Sequence, residues 1–187
     1  MTPKDLTPEQ RRQRAEQLLE KIRGVMVPHS EGSIMKGSAA AGLIQRLDGM
    51  YFERILEIGT CRGVGAAVLS CFADTVVTID IVGRGEVPWI MALADAEHRI
   101  IPVVTTEAGK QRLVRALRFD MCFIDGNHKY DWVKADFELV RSLCKQILFH
   151  DYPDSGSGLR GVGQLLDDDK PDGVIKRCEP FAWWRPK

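Results

Sequence analysis

The sequence predicts an α/β protein: a doubly wound, mostly parallel sheet with helices on both faces and a last strand that could return antiparallel. Two observations carry this. From Tyr51 onward, short apolar segments alternate with segments of helical periodicity. The apolar segments are apolar throughout, as strands covered on both faces must be, which points to a parallel sheet between helical layers.

The elements follow in order. "LTPEQRRQRAEQLLEKIRG" reads as a helix in which Thr7 caps, Pro8 suits the first turn, Gln10 completes a capping box and Gly24 stops it. Its apolar residues Ala15, Leu18, Leu19 and Ile22 share one face. The glycine- and serine-rich stretch from Val25 to Gly42 reads as a loop leading into a second helix that ends near Gly49.

Strands are expected at "RILEIG", "TVVTID", "RIIPVVT", "FDMCFID", "KQILFHD" and "GVIKRCE". Helices are expected after Gly63, over Val87 to His98, over Glu107 to Leu117, and over Asp131 to Cys144. The tail "FAWWRPK" supplies the antiparallel last strand, with Trp183 and Trp184 in strand and core. Trp89 is expected in the core beside Ile90 and Leu93, and Asp167 to Asp169 at a solvated helix end. The 187 residues suit one domain, with a helical or lid segment over 1–50 and the sheet core over 51–187.

Composition removes several functions. Lys plus Arg and Asp plus Glu both number 26, so no overall field draws the chain to nucleic acid or anionic lipid. No apolar stretch approaches the ~20 residues that cross a bilayer, and the N-terminus "MTPKDLTPEQRRQR" is too polar for a signal peptide. The five cysteines form no CxxC pair; Cys71, Cys122 and Cys144 sit in apolar runs, as core residues of a reducing compartment do. A cytoplasmic protein is the expectation, with no membrane or nucleic-acid partner.

The right-handed crossover rule brings the C-terminal ends of all parallel strands to one sheet edge, where ligands bind. There the strands deliver Glu57 and Gly59, then Asp80, then Thr105, Thr106 and Glu107, then Asp125, and finally His150 and Asp151. Acids do nothing for an apolar core, so a polar ligand is implied. The glycines in "EIGTCRGVG" let the backbone approach that ligand closely, yet their spacing is neither GxGxxG nor GxxxxGK[ST]. Glu57 would repel a pyrophosphate and suit a cation, while Asp80 can accept from ribose hydroxyls. A cationic nucleoside without phosphate fits S-adenosylmethionine.

In "EIGTCRGVG" followed by "VVTID", the chain resembles the class I, Rossmann-like S-adenosylmethionine-dependent methyltransferases. "FIDGNHKYDWVKADFELV" and "ILFHDY" are similar to the small O-methyltransferase branch, over roughly Glu53 to Pro153. The resemblance implies methyl transfer to a hydroxyl of a small-molecule acceptor, such as a sugar or phenol, in a chain that could act as a homodimer. It implies that Glu57, Gly59, Thr60 and Gly63 contact the methionine part of the cofactor. Asp80 would hold the ribose, Ile81 would pack on the purine, Thr105 or Thr106 would border it, and Asp125 would contact the cofactor and share in catalysis with His128.

In cation-dependent relatives, the acids ending the fourth and fifth strands hold Mg²⁺; those positions are Asp125 and Asp151 here. The Asn that often follows the second acid is replaced by Tyr152, which leaves open that Asp125 orients a turn or substrate and Asp151 a loop. The relatives' basic lysine, three positions past the fourth-strand acid, is His128 here, a base suited to neutral pH. Capping of the "DGNHKY" turn is its alternative role, and Lys129 and His150 are the other candidate bases. Residues 153–163 and 30–38 would face the acceptor. Two alternatives stand beside this reading: a nicotinamide-dependent oxidoreductase, which the glycine spacing disfavours, and a non-catalytic protein that keeps the cofactor fold.

Overall fold

A computed structural model of the chain describes residues 2–25, 37–154 and 158–187. After a 3₁₀ turn at Pro3–Asp5 come helices α1 (Pro8–Val25) and α2 (Gly37–Leu47). The alternating part follows: β1 (Phe52–Ile58), α3 (Val64–Leu69), β2 (Ala73–Asp80), α4 (Glu86–Leu93), β3 (Ile100–Val104), α5 (Glu107–Arg115), β4 (Met121–Ile124), α6 (Tyr130–Val140) and β5 (Ile147–Phe149). A short α7 (Gly161–Gly163) runs on into a π-helical segment (Gln164–Asp169), and β6 (Val174–Cys178) and β7 (Phe181–Arg185) close the chain.

The α1 cap forms as its sequence dictates. Thr7 N–H donates to Gln10 Oε1 at 2.8 Å, and Gln10 N–H donates to Thr7 Oγ1 at 3.2 Å. Gly24 does not stop the helix, which continues through Val25.

The strands form one sheet in the order β3-β2-β1-β4-β5-β7-β6. Strands β1 to β5 pair in parallel, while β7 runs antiparallel between β5 and β6. The antiparallel tail strand is therefore internal, and "GVIKRCE" takes the sheet edge. Successive residues divide between the two faces. Ile55, Val76, Phe123, Leu148 and Trp183 pack into one core with α1 to α4. Leu56, Val77, Ile124, Phe149 and Trp184 pack into the other with α5, α6 and the last helical segment. Ala15, Leu18, Leu43 and Leu47 of the first two helices belong to the same cluster as Phe52 and Ile55.

Two expectations change. The fourth helix stops at Leu93, short of His98, and Trp89 is 42% exposed on its outer face rather than in the core. The helix carries apolar residues nearly all round, so periodicity alone did not reveal its buried side. The cysteines are unpaired, with Cys71, Cys122 and Cys144 buried. No helix among the described residues is long and apolar enough to cross a membrane.

Register aligns the strand ends. Gly59 N–H donates to Ile79 O, Asp125 N–H to Ile58 O, His150 N–H to Ile124 O, and Thr105 N–H to Asp80 O, all at 2.9–3.1 Å. These bonds hold His150, Asp125, Gly59, Asp80 and Thr105 in a row, from β5 through β4, β1 and β2 to β3.

Candidate active site

A cleft of about 290 Å³ opens along that row. Gly59, Asp80, Ile81, Thr105 and Asp125 line it, as the sequence led us to expect. Gly59 has φ +104°, and a Cβ there would fall 2.2 Å from the Asp125 carbonyl oxygen. Only glycine lets the β1 turn pass so close to the end of β4. Both oxygens of Asp80 accept backbone N–H groups: Oδ2 from Cys61 at 2.8 Å and Oδ1 from Val82 at 3.1 Å. The carboxylate is thereby fixed at the mouth of the cleft.

Four expected cofactor contacts do not line the cleft. Glu57 is 1% exposed, and its carboxyl lies beneath α3, where a Cβ on Gly65 would come within 2.1 Å of Oε1. Thr78, its register partner on β2, donates to Oε2 at 2.5 Å. Burial pushes this carboxyl well above the usual range, against the Thr78 hydrogen bond. Glu57 therefore supports the turn from below rather than facing a ligand. Thr60 is buried as well, 2.6 Å from the Thr78 hydroxyl. Gly63, at φ +88°, turns the chain into α3 against Val87. The Thr106 hydroxyl caps α5, accepting from Gly109 N–H at 3.2 Å.

The cleft also has walls that sequence reasoning missed: Trp132, Lys110, Asp136, Asn127, Arg84 and Cys61. Lys110 Nζ lies 2.5 Å from Asp136 Oδ1 and 2.8 Å from Glu107 Oε2. Burial alone would push the ammonium's pKa down, but the two carboxylates outweigh it and hold it above its ordinary value. Trp132 sits just inside the helix expected over Asp131 to Cys144, so its place on the cleft side was within reach of the sequence. The Lys110–Asp136 pair joins two helices, and no local pattern announces it.

At the β4–β5 end of the cleft two carboxylates and two imidazoles interleave. His128 Nδ1 lies 2.9 Å from Asp151 Oδ2. His150 Nδ1 lies 3.0 Å from Asp125 Oδ1 and 3.4 Å from Asp151 Oδ1. The Asp151 hydrogen bond raises His128 above its ordinary value. Burial would lower His150, yet its bonds to Asp125 and Asp151 win and bring it up to about 10. Asp151 is also subject to burial, which would raise it, but the two histidines hold it well below the carboxylate range. Around neutrality the cluster thus contains a charged imidazolium, His150, between two acids, and a second, partly exposed histidine, His128, held by one of them.

This donor set also fits a divalent cation. Asp125, His128 and Asp151 each offer one ligand atom, all within 4.8 Å of one another. Carboxylates suit a hard ion such as Mg²⁺, and the added imidazole extends the choice to first-row transition ions. Tyr152 supplies no ligand, because its hydroxyl donates to Asp167 Oδ2 at 3.0 Å within the α6-side core. Lys129 shows no part in the cluster. Of the segments expected to face the acceptor, residues 30–36 and 155–157 lie outside the described residues. Gly161, further along the second of them, packs so closely on the His128 turn that a Cβ would sit 2.3 Å from the His128 carbonyl oxygen.

Comparison with known proteins agrees with this architecture. A family of methyltransferase domains matches residues 56–152, just over half of the chain. No curated protein is a significant match to the sequence. The O-methyltransferase from Bacillus cereus, solved in complex with S-adenosylhomocysteine, has a TM-score of 0.60 at 18% identity, over 94% of this chain and 91% of that one. TomG of Streptomyces achromogenes, an O-methyltransferase of tomaymycin synthesis solved with S-adenosylmethionine, gives 0.60 at 18% identity, over 93% and 90%. MycE of the mycinamycin pathway, solved with Mg, S-adenosylhomocysteine and mycinamycin VI, gives 0.56 at 17% identity, over 90% of this chain and 54% of that one. At these identities the structures share a fold, and the family match extends from within β1 to just past β5: the chain belongs to the methyltransferase-domain family.

Proposed function

We propose that this protein transfers the methyl group of S-adenosylmethionine to a hydroxyl of a small-molecule acceptor, with His128 as general base. One observation carries the reading: Asp125 is part of the cleft wall and part of the Asp125–His150–Asp151–His128 cluster. A nucleoside in the cleft and a base in the cluster would therefore meet across one residue.

In this reading Gly59 gives the methionine part room, Asp80 accepts from the ribose, and Ile81, Thr105 and Trp132 surround the purine. His128 takes the acceptor's proton at Nε2, while Asp151 holds Nδ1 and steadies the imidazolium that forms. The sulfonium is its own leaving group, so alignment of nucleophile and methyl carbon can supply roughly 7–11 kcal/mol of the barrier. Asp125 and Asp151 would hold a cation, which when bound lowers the pKa of a coordinated hydroxyl and leaves His128 Nε2 free to act as the base. The Mg in the MycE complex supports that part, and the small-molecule pathways of TomG and MycE support the acceptor class. Residues 51–187 would form the cofactor core, with the helices of residues 1–50 bracing it.

Membership in a methyltransferase family sets aside the nicotinamide-dependent alternative. The test is calorimetry with S-adenosylhomocysteine, followed by transfer of labelled methyl to a panel of phenols and sugars, with and without Mg²⁺. Absence of binding would overturn the proposal. Binding without turnover on any acceptor would return the non-catalytic alternative.

A further inference from the structure

Asp151 stands in the left-handed region, at φ +57°. A residue with a Cβ is strained there, aspartate less than most, and stays only where the chain on either side is pinned. On one side the pin is the sheet: His150 N–H donates to Ile124 O at 3.1 Å. On the other side it is Tyr152, whose N–H donates to Pro180 O at 3.0 Å. The Tyr152 side chain is buried, and its hydroxyl lies 3.0 Å from Asp167 Oδ2 and 3.2 Å from Oδ1. Asp167 is held in turn by Arg177 of β6, whose Nε and Nη2 lie 2.8 and 2.7 Å from Oδ1. The same helical segment reaches the other half of the His128–Asp151 pair. Gly161 lies against the His128 carbonyl, and a Cβ on Gly163 would fall 2.3 Å from the Pro153 carbonyl oxygen. Residues 161–169 thus abut both turns, and the Tyr152–Asp167 bond ties the second turn to them.

Resting on the methyl-transfer reading above, we propose that Tyr152 is a positioning residue: its bond to Asp167 keeps Asp151 in the left-handed conformation that aims the carboxylate at His128. Phenylalanine would fill the same volume, so the hydroxyl adds direction rather than bulk. Without it the backbone at Asp151 relaxes toward the extended region, where an aspartate is unstrained. That rotation swings the carboxylate away from its 2.9 Å contact with His128 Nδ1. His128 then loses the group that fixes its ring, although its own turn is untouched. A displacement of about 1 Å at a reacting group can cost on the order of 100-fold in rate, so a bond this far from the acceptor still governs turnover. Tyr152 does not line the cofactor cleft, so binding of the nucleoside is independent of it.

The test is a double-mutant cycle on kcat, using the phenol or sugar that the wild type methylates fastest. Tyr152→Phe, with its fold checked by circular dichroism, should lower kcat about 10–100-fold and leave the dissociation constant for S-adenosylhomocysteine within about threefold. In an Asp151→Ala background the same substitution should change kcat by less than about threefold, because the group it positions is gone. A tyrosine that served packing alone would act equally in both backgrounds. Asp167→Asn, which keeps an acceptor for the phenol, should lose less activity than Asp167→Leu, which keeps none. Undiminished kcat in Tyr152→Phe, equal losses in the two backgrounds, or equal losses in the two Asp167 variants overturns the inference and leaves the methyl-transfer reading intact. If the wild type methylates no acceptor, that reading fails and takes this inference with it.

Discussion

His128 Nδ1 lies 2.9 Å from Asp151 Oδ2, so a residue on the turn after β4 is oriented by the residue that follows β5. One ring nitrogen is occupied, and the other is left as the atom able to accept a proton. His128→Ala should lower kcat by about 10²–10⁴ while leaving the dissociation constant for S-adenosylhomocysteine unchanged. Because Asp151 raises His128, the acidic limb of the rate profile should lie above pH 6.5, with activity falling as the ring protonates. Asp151→Asn should move that limb down toward the ordinary histidine value. A profile that does not respond to Asp151→Asn would remove the pair from the mechanism.

Beneath the β1 turn, Glu57 and Gly65 compete for the same space. A Cβ on Gly65 would lie 2.1 Å from Glu57 Oε1, a contact that requires displacement. Gly65→Ala should therefore cost about 1–3 kcal/mol in urea denaturation. Glu57→Gln should change stability little, because burial already favours the uncharged acid and glutamine retains an acceptor for Thr78. In the double variant Gly65→Ala/Glu57→Ala the two costs should not add, since removing the carboxyl relieves the clash.

The contrast between Glu57 and Asp80 marks the limit of what the sequence discloses. Both are acids at the ends of adjacent strands, and both were expected to meet the cofactor. The sheet order followed from apolar runs and crossovers, and the row of strand ends followed from the sheet. Which way each terminal side chain turns depends on alternation across two faces. Glu57 pairs with Thr78 and points into the interior under α3, while Asp80, just beyond the last paired residues of β1, accepts from the Cys61 and Val82 N–H groups. The same limit explains Thr106, whose capping role is local and legible, and the Lys110–Asp136 pair, which only the packing of α5 on α6 creates.

Each Asp80 oxygen accepts one backbone N–H and keeps a second lone pair for a ribose hydroxyl. Asp80→Asn presents an amide N–H₂ toward one of those donors, so the loop from Thr60 to Gly63 or the one after β2 must shift. Binding of S-adenosylhomocysteine should weaken by roughly 1.5–3 kcal/mol, or about 10–150-fold. The loss should exceed that of Thr106→Ala, whose hydroxyl caps α5 without lining the cleft. If Thr106→Ala proved the more damaging to binding, the assignment of the ribose end would be wrong.

His150 makes stability depend on alkaline pH. Its folded pKa is raised to about 10, from an unfolded value near 6.5, by the flanking Asp125 and Asp151. A raised pKa means that the folded state holds a proton that the unfolded chain has released. The stabilisation is complete below about pH 6.5 and is lost as pH climbs toward 10, by up to ~1.4 kcal/mol per pH unit. Urea denaturation of the metal-free protein between pH 6.5 and 10 should therefore show a steady decline in unfolding free energy. His150→Gln should be less stable at pH 6.5 and should flatten the slope, since the amide donates to one carboxylate without titrating. A slope unchanged by that substitution would mean that the imidazolium between Asp125 and Asp151 is not the group that sets it.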